Sequence, residues 1–130
     1  MSERIKFDVE KEAPIISITF IGTLRIEYGL TLNDPNSQGS WLGHWTGDNK
    51  SQEKVEYPTI PERLNLPSLK WEFAGLDWLF ITWPNPGIQE RYEIRITIEQ
   101  EGTEIYSKKY EGEPSNPIQD VGRVIFIPND

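Results

Sequence analysis

The chain has no cysteine, one histidine and one methionine. Without cysteine there is no disulfide, no thiolate metal site and no thiol nucleophile. A single histidine, His44, cannot build a multi-histidine metal centre, and any serine–histidine–acid triad would need it as the base. Positive charge is also scarce: 13 lysines and arginines stand against 21 acids, a formal net charge of -8. The acids are spread along the chain, and Lys108-Lys109 is the sole adjacent basic pair. Such a surface repels duplex nucleic acid and anionic membranes and mildly favours a cationic partner. No apolar run approaches the ~18 residues of a membrane span. Met1 to Asp8 does not read as a signal peptide. The expected location is therefore the cytoplasm, with signal-free export left open.

Catalytic signatures are missing as well. The sequence has no glycine-rich phosphate loop, no His-Glu-x-x-His and no Gly-x-Ser-x-Gly elbow. Asp34, Asn36, Asp48 and Asn49 form an oxygen-rich stretch, but their spacing matches no EF-hand, and such residues in turns usually bond their own backbone. No metal and no cofactor are expected. Helical signal is confined to Thr59-Ile60-Pro61-Glu62, which reads as one capped turn.

What the chain does have is alternation. Ile16, Ile18, Phe20, Leu24, Ile26, Tyr28, Leu30 and Leu32 occupy even positions, and Thr23, Arg25, Glu27, Gly29 and Thr31 lie between the later ones. A period of two sends side chains to opposite faces of a strand. One strand over 15–32 would run to about 60 Å at ~3.3 Å per residue, so Gly22 is expected to break it into strands at 15–21 and 23–32. Tyr92, Ile94, Ile96 and Ile98 repeat the pattern. Further strands are expected at 4–10, with Ile5, Phe7 and Val9 on one face, at 69–83, and at 121–127. A hairpin of 90–99 with 103–110 is expected to turn at Glu101-Gly102. These elements predict a single domain over 1–130, a two-layer antiparallel β-sandwich of immunoglobulin-like or jelly-roll outline with about eight or nine strands. A small closed β-barrel is the alternative.

Five tryptophans are many for 130 residues. Trp71 shares parity with Leu69 and Phe73 and is expected in the core. Trp78 and Trp83 have opposite parity in one run, so they point to opposite faces. That run, Asp77 to Trp83, is apolar on both faces, which implies a strand covered on both sides or a face that meets something else. Residues 33–54 read as a long polar excursion with a short strand in which Trp41 and Trp45 face inward. His44 is expected to cap backbone there or to stack on Trp45. Asn49-Lys50-Ser51 is a glycosylation sequon and reads as chance.

These features point to a non-enzymatic interaction module whose partner is another protein or a second copy of the chain. The candidate contact residues are Trp41, His44, Trp45, Asp48, Asn49 and Trp83. A carbohydrate-binding, lectin-like module is the alternative, with Trp41, Trp45 or Trp83 stacking on sugar and Asp48 or Asn49 bonding hydroxyls. A small hydrolase working through paired carboxylates comes third, since Glu27, Glu72 and Glu93 sit on polar strand faces.

Overall fold

The computed structural model describes residues 3–8, 10–11, 14–33, 41–50, 54–58 and 75–128. They form nine strands and no helix: β1 (Glu3–Phe7), β2 (Ile15–Ile21), β3 (Arg25–Asn33), β4 (Trp41–Asp48), β5 (Lys54–Pro58), β6 (Gly75–Trp83), β7 (Tyr92–Gln100), β8 (Thr103–Gly112) and β9 (Ile118–Pro128). The strands assemble into a five-stranded sheet of order β1-β9-β6-β3-β4 and a four-stranded sheet of order β5-β2-β7-β8. The two sheets stack as a β-sandwich, and no barrel closes. The pairing is antiparallel except where β1 runs parallel to β9, an addition to the all-antiparallel expectation. Val9, the helical turn at 59–62 and the strand positions Leu69, Trp71 and Phe73 lie outside the described residues, as does the side chain of Trp41.

Alternation decides which side chains enter the space between the sheets. In β3 the even positions Ile26, Tyr28, Leu30 and Leu32 are buried, and the odd positions between them are only half-buried. In β7, Tyr92, Ile94, Ile96, Ile98 and Gln100 are buried by the same rule. Rings then cross from one sheet to the other. Phe20 on β2 lies 5.8 Å from Tyr28 on β3, and Phe80 on β6 lies 6.1 Å from Tyr110 on β8. Within the five-stranded sheet, Phe7 on β1 meets Phe126 on β9 edge to face at 5.9 Å. Ring pairs in such geometries add about 0.5–1.5 kcal/mol beyond the area they bury.

Gly22 breaks the long apolar run as expected, and for two reasons. Its φ is 111°, a left-handed conformation that other residues adopt only with strain. A Cβ there would also lie 2.7 Å from the carbonyl oxygen of Arg91. Residues 22–24 thus carry the chain from the four-stranded sheet to the five-stranded one, with Leu24 buried in the passage. The β7–β8 hairpin turns at Glu101 (φ 48°) and Gly102 (φ 81°), the two positive values a type I′ turn requires. Replacing Gly22 by alanine combines a backbone clash with a strained φ. Gly22→Ala is expected to lower unfolding free energy by about 2–3 kcal/mol, read from the urea midpoint at unchanged slope.

Candidate functional site

β6 is the middle strand of the five-stranded sheet, and its parity explains its apolar character on both sides. Leu76, Trp78, Phe80 and Thr82 face inward and are buried. Leu79 and Trp83 face outward and remain 37% and 40% exposed, and Ile81 between them is half-buried. The neighbouring strands extend this outward strip. Leu79 is in register with Val121 on β9, which is 66% exposed, and with Gly29 on β3, which carries no side chain to cover it. Leu79, Ile81, Trp83 and Val121 thus make a contiguous apolar strip on a sheet face that would ordinarily be polar.

Charged and polar pairs bound the strip at both ends. Beyond Leu79, Arg123 Nε stands 3.4 Å from Asp77 Oδ1, and Asn33 Nδ2 donates to Asp77 Oδ2 at 2.6 Å. Beside Trp83, Arg25 pairs with Glu27 at 2.7 Å. His44 lies on the same face, with Nδ1 2.9 Å from the hydroxyl of Thr31. At the end of β6, Trp83 leads into a cavity of about 430 Å³ lined by Pro84, Pro86, Ile88, Gln89, Pro114 and Ser115 among others, with no charged side chain in its wall.

The sequence-derived candidates are only partly brought together. Residues 41–48 form strand β4, paired along β3 from Glu27–Asp48 to Leu32–Gly43, so His44 is a strand residue. Trp45 is half-buried against the core, as its inward parity implies. It needs Gly43 beneath it, because a Cβ there would meet the indole at 2.4 Å. Asp48 accepts from the backbone of Lys50 in a local turn at 2.9 Å. Asn49 is committed to the fold: its Oδ1 accepts from Ile26 N at 2.8 Å, and its Nδ2 donates to Leu24 O at 2.9 Å. Trp83 alone of the described candidates presents a largely free aromatic surface on the strip. Glu27 and Glu93, candidates for paired carboxylates, lie on the outer faces of different sheets and hold Arg25 and Arg95 at 2.7 Å. Among the described residues no group of three or more histidines, cysteines, aspartates or glutamates is placed to hold a metal ion.

Tyrosines missed by the sequence reading occupy the opposite margin. Tyr106 and Tyr110 on β8 reach across to Trp78, whose Nε1 donates to Tyr110 Oη at 2.9 Å. Tyr92 donates to Asp120 Oδ2 at 2.8 Å. Burial, and then the acceptor carboxylates Asp120 and Glu3, hold the Tyr92 and Tyr106 hydroxyls above the usual phenol range. Tyr110 is raised chiefly by burial, against a lowering effect of the Trp78 hydrogen bond. The alternation Tyr106-Lys108-Tyr110 was the signal that could have found them.

No family model matches the sequence, and no curated protein matches it. Two solved structures are similar. One is a domain of unknown function, DUF4425, from Bacteroides vulgatus ATCC 8482, with a TM-score of 0.57 and 11% identity, covering 90% of this chain and 96% of that one. The other is a DUF4425 family protein from Bacteroides ovatus ATCC 8483, with a TM-score of 0.56 and 11% identity, covering 88% and 95%. The likeness is one of fold alone.

Two outcomes follow from these side chains. Asn49→Ala should lower stability by about 2 kcal/mol by stranding the Ile26 N–H of β3 and the Leu24 carbonyl just before it, measured by urea unfolding. The three raised tyrosines favour the neutral phenol in the folded state. Their contribution is complete below the ordinary phenol pKa near 10 and is lost as pH climbs from there toward the higher folded values. The urea midpoint should therefore fall above about pH 10, with phenolate absorbance from these residues appearing together with unfolding.

Proposed function

We propose that the chain is a non-catalytic interaction module that works through the outer face of its five-stranded sheet, and that the occupant of this face is a second copy of the chain. The observation that carries the reading is the strip of Leu79, Ile81, Trp83 and Val121 on adjacent strands, left exposed where polar residues are the rule. Charge supports a self-contact. Each end of the strip carries both signs, Arg123 with Asp77 at one end and Arg25 with Glu27 at the other. A two-fold axis through the strip would set Arg123 of one copy towards Glu27 of the other, and Asp77 towards Arg25. Edge strand β8 is less suited to association, since Lys108 and Lys109 guard it.

Salt separates this occupant from a cationic partner. Two copies of net charge -8 repel at long range, so raising salt should strengthen their apolar contact; a cationic partner would be lost instead. Sedimentation equilibrium should show dimers that tighten between about 0.05 and 0.5 M NaCl. Leu79→Glu and Val121→Glu should each weaken the dimer at least ten-fold or so, with an unchanged circular dichroism spectrum. A wild-type chain that stays monomeric at about 1 mM in high salt would remove the self-contact.

A further inference from the structure

A second surface lies on the β8 margin of the sandwich and meets the strip at Val121 and Arg123. Between edge strand β8 and strand β9 lies a cavity of about 150 Å³, lined by Glu3, Trp78, Tyr106, Lys108, Tyr110, Val121, Gly122 and Arg123. Gly122 seats the indole wall of it: a Cβ there would lie 2.5 Å from the Trp78 ring, so only glycine lets the ring lie against β9. The aromatic wall is rigidly placed. Tyr110 accepts from Trp78 Nε1 at 2.9 Å, donates to the Val121 carbonyl at 3.3 Å and packs on Phe80. Tyr106 faces the Glu3 carboxylate and packs 6.1 Å from Trp78.

The charged groups of the cavity have both signs. Glu3 supplies acceptor oxygens. Lys108, at an inward register position opposite Ile96, holds its ammonium 5.9 Å from the Tyr110 ring. Arg123 is neutralised by Asp77 yet keeps further N–H donors. An inward lysine can serve only to guard an edge strand, but that does not account for a carboxylate, a guanidinium and two tyrosine rings around the same space. A ligand of single charge would meet a like charge in this wall. A neutral molecule with hydroxyls that both donate and accept meets partners on every side, and its C–H face suits a tyrosine ring. The volume, about five waters' worth, suits one six-membered ring.

From this arrangement we propose that the β8–β9 cleft is a binding subsite for a single neutral sugar ring, with Tyr106 and Tyr110 as its apolar wall and Glu3, Lys108 and Arg123 as its hydrogen-bonding rim. The test is amide-resolved NMR titration of the intact chain with methyl glycosides of the common neutral hexoses, up to about 50 mM. At least one should give saturable shifts centred on residues 106–110 and 122, with millimolar affinity. Lys108→Ala and Glu3→Gln, both at the exposed rim, should each weaken that binding about ten-fold, the loss of one charge-assisted hydrogen bond. The proposal is overturned if no hexoside shifts these amides, if the shifts centre on Trp83, or if both variants bind as the parent does. It is equally overturned if glucuronate or glycine saturates the cleft where the neutral glycosides do not. Leu79→Glu changes the strip and replaces no residue of the cleft, so it should lose the dimer and keep the hexoside binding, and either surface can fail without the other.

Discussion

Water has to be kept from the space between two sheets, and in this chain rings that cross the gap do much of that work. Phe20 against Tyr28 joins β2 to β3, and Trp78 and Phe80 against Tyr106 and Tyr110 join β6 to β8. Aromatic side chains bury large areas and prefer tilted or edge-on contacts, so they space the sheets as well as fasten them. Once these rings are inside, parity allows no freedom elsewhere. A slip of one residue in β6 would carry Trp78 and Phe80 into solvent and bring Asp77 into the core. The exposed positions of Leu79, Ile81 and Trp83 are therefore a consequence of packing on the other side of the same strand.

That coupling gives β6 two duties. A central strand with both neighbours paired has no backbone donors to spare, so what it can offer a partner is side-chain surface on its outer face. Gly29 and Val121 widen that surface on either flank, one by absence of a side chain and the other by exposure. The β8 margin behaves differently. There the sheet ends, and a cavity lies beside the rings that close the sandwich, with Trp78 seated against Gly122 of β9. A flat apolar strip and a small polar-rimmed cleft are thus both by-products of placing one tryptophan and one phenylalanine inward from β6.

Much of the architecture was readable from periodicity. The strands at 15–21 and 23–32, the break at Gly22, the Glu101-Gly102 hairpin and the opposite facing of Trp78 and Trp83 all follow from local spacing, and local spacing survives folding. The candidate site was less readable, because its parts meet only through long-range register. Leu79 and Val121 become neighbours through β6–β9 pairing, which nothing local to either residue specifies. The short strand expected within residues 33–54 proved to run the whole of Trp41 to Asp48, since its glycines make room for Trp45 and Tyr28 and do not end it. Asn49, a candidate contact residue by sequence, bonds Leu24 and Ile26 instead, 25 and 23 positions away, which no local pattern specifies. The parallel partner of β1 is likewise a matter of topology, beyond the reach of any pattern within five residues.

Charge sets the terms on which such a surface can act. The chain carries -8 overall, yet the strip itself is bounded by matched pairs, so a partner arriving there meets a locally neutral face within an acidic surround. At physiological ionic strength that surround is felt over about 8 Å, less than two strand spacings of ~4.8 Å and well short of the width of the sheet. Repulsion between copies is then a rim effect that opposes contact without reversing the gain from burying Leu79, Trp83 and Val121. On the proposed self-contact, that balance would make association at this face respond to concentration and salt. It also separates function from folding: the strip residues face away from the core, so their replacement alters what the sheet meets and leaves the rings that hold the sandwich in place.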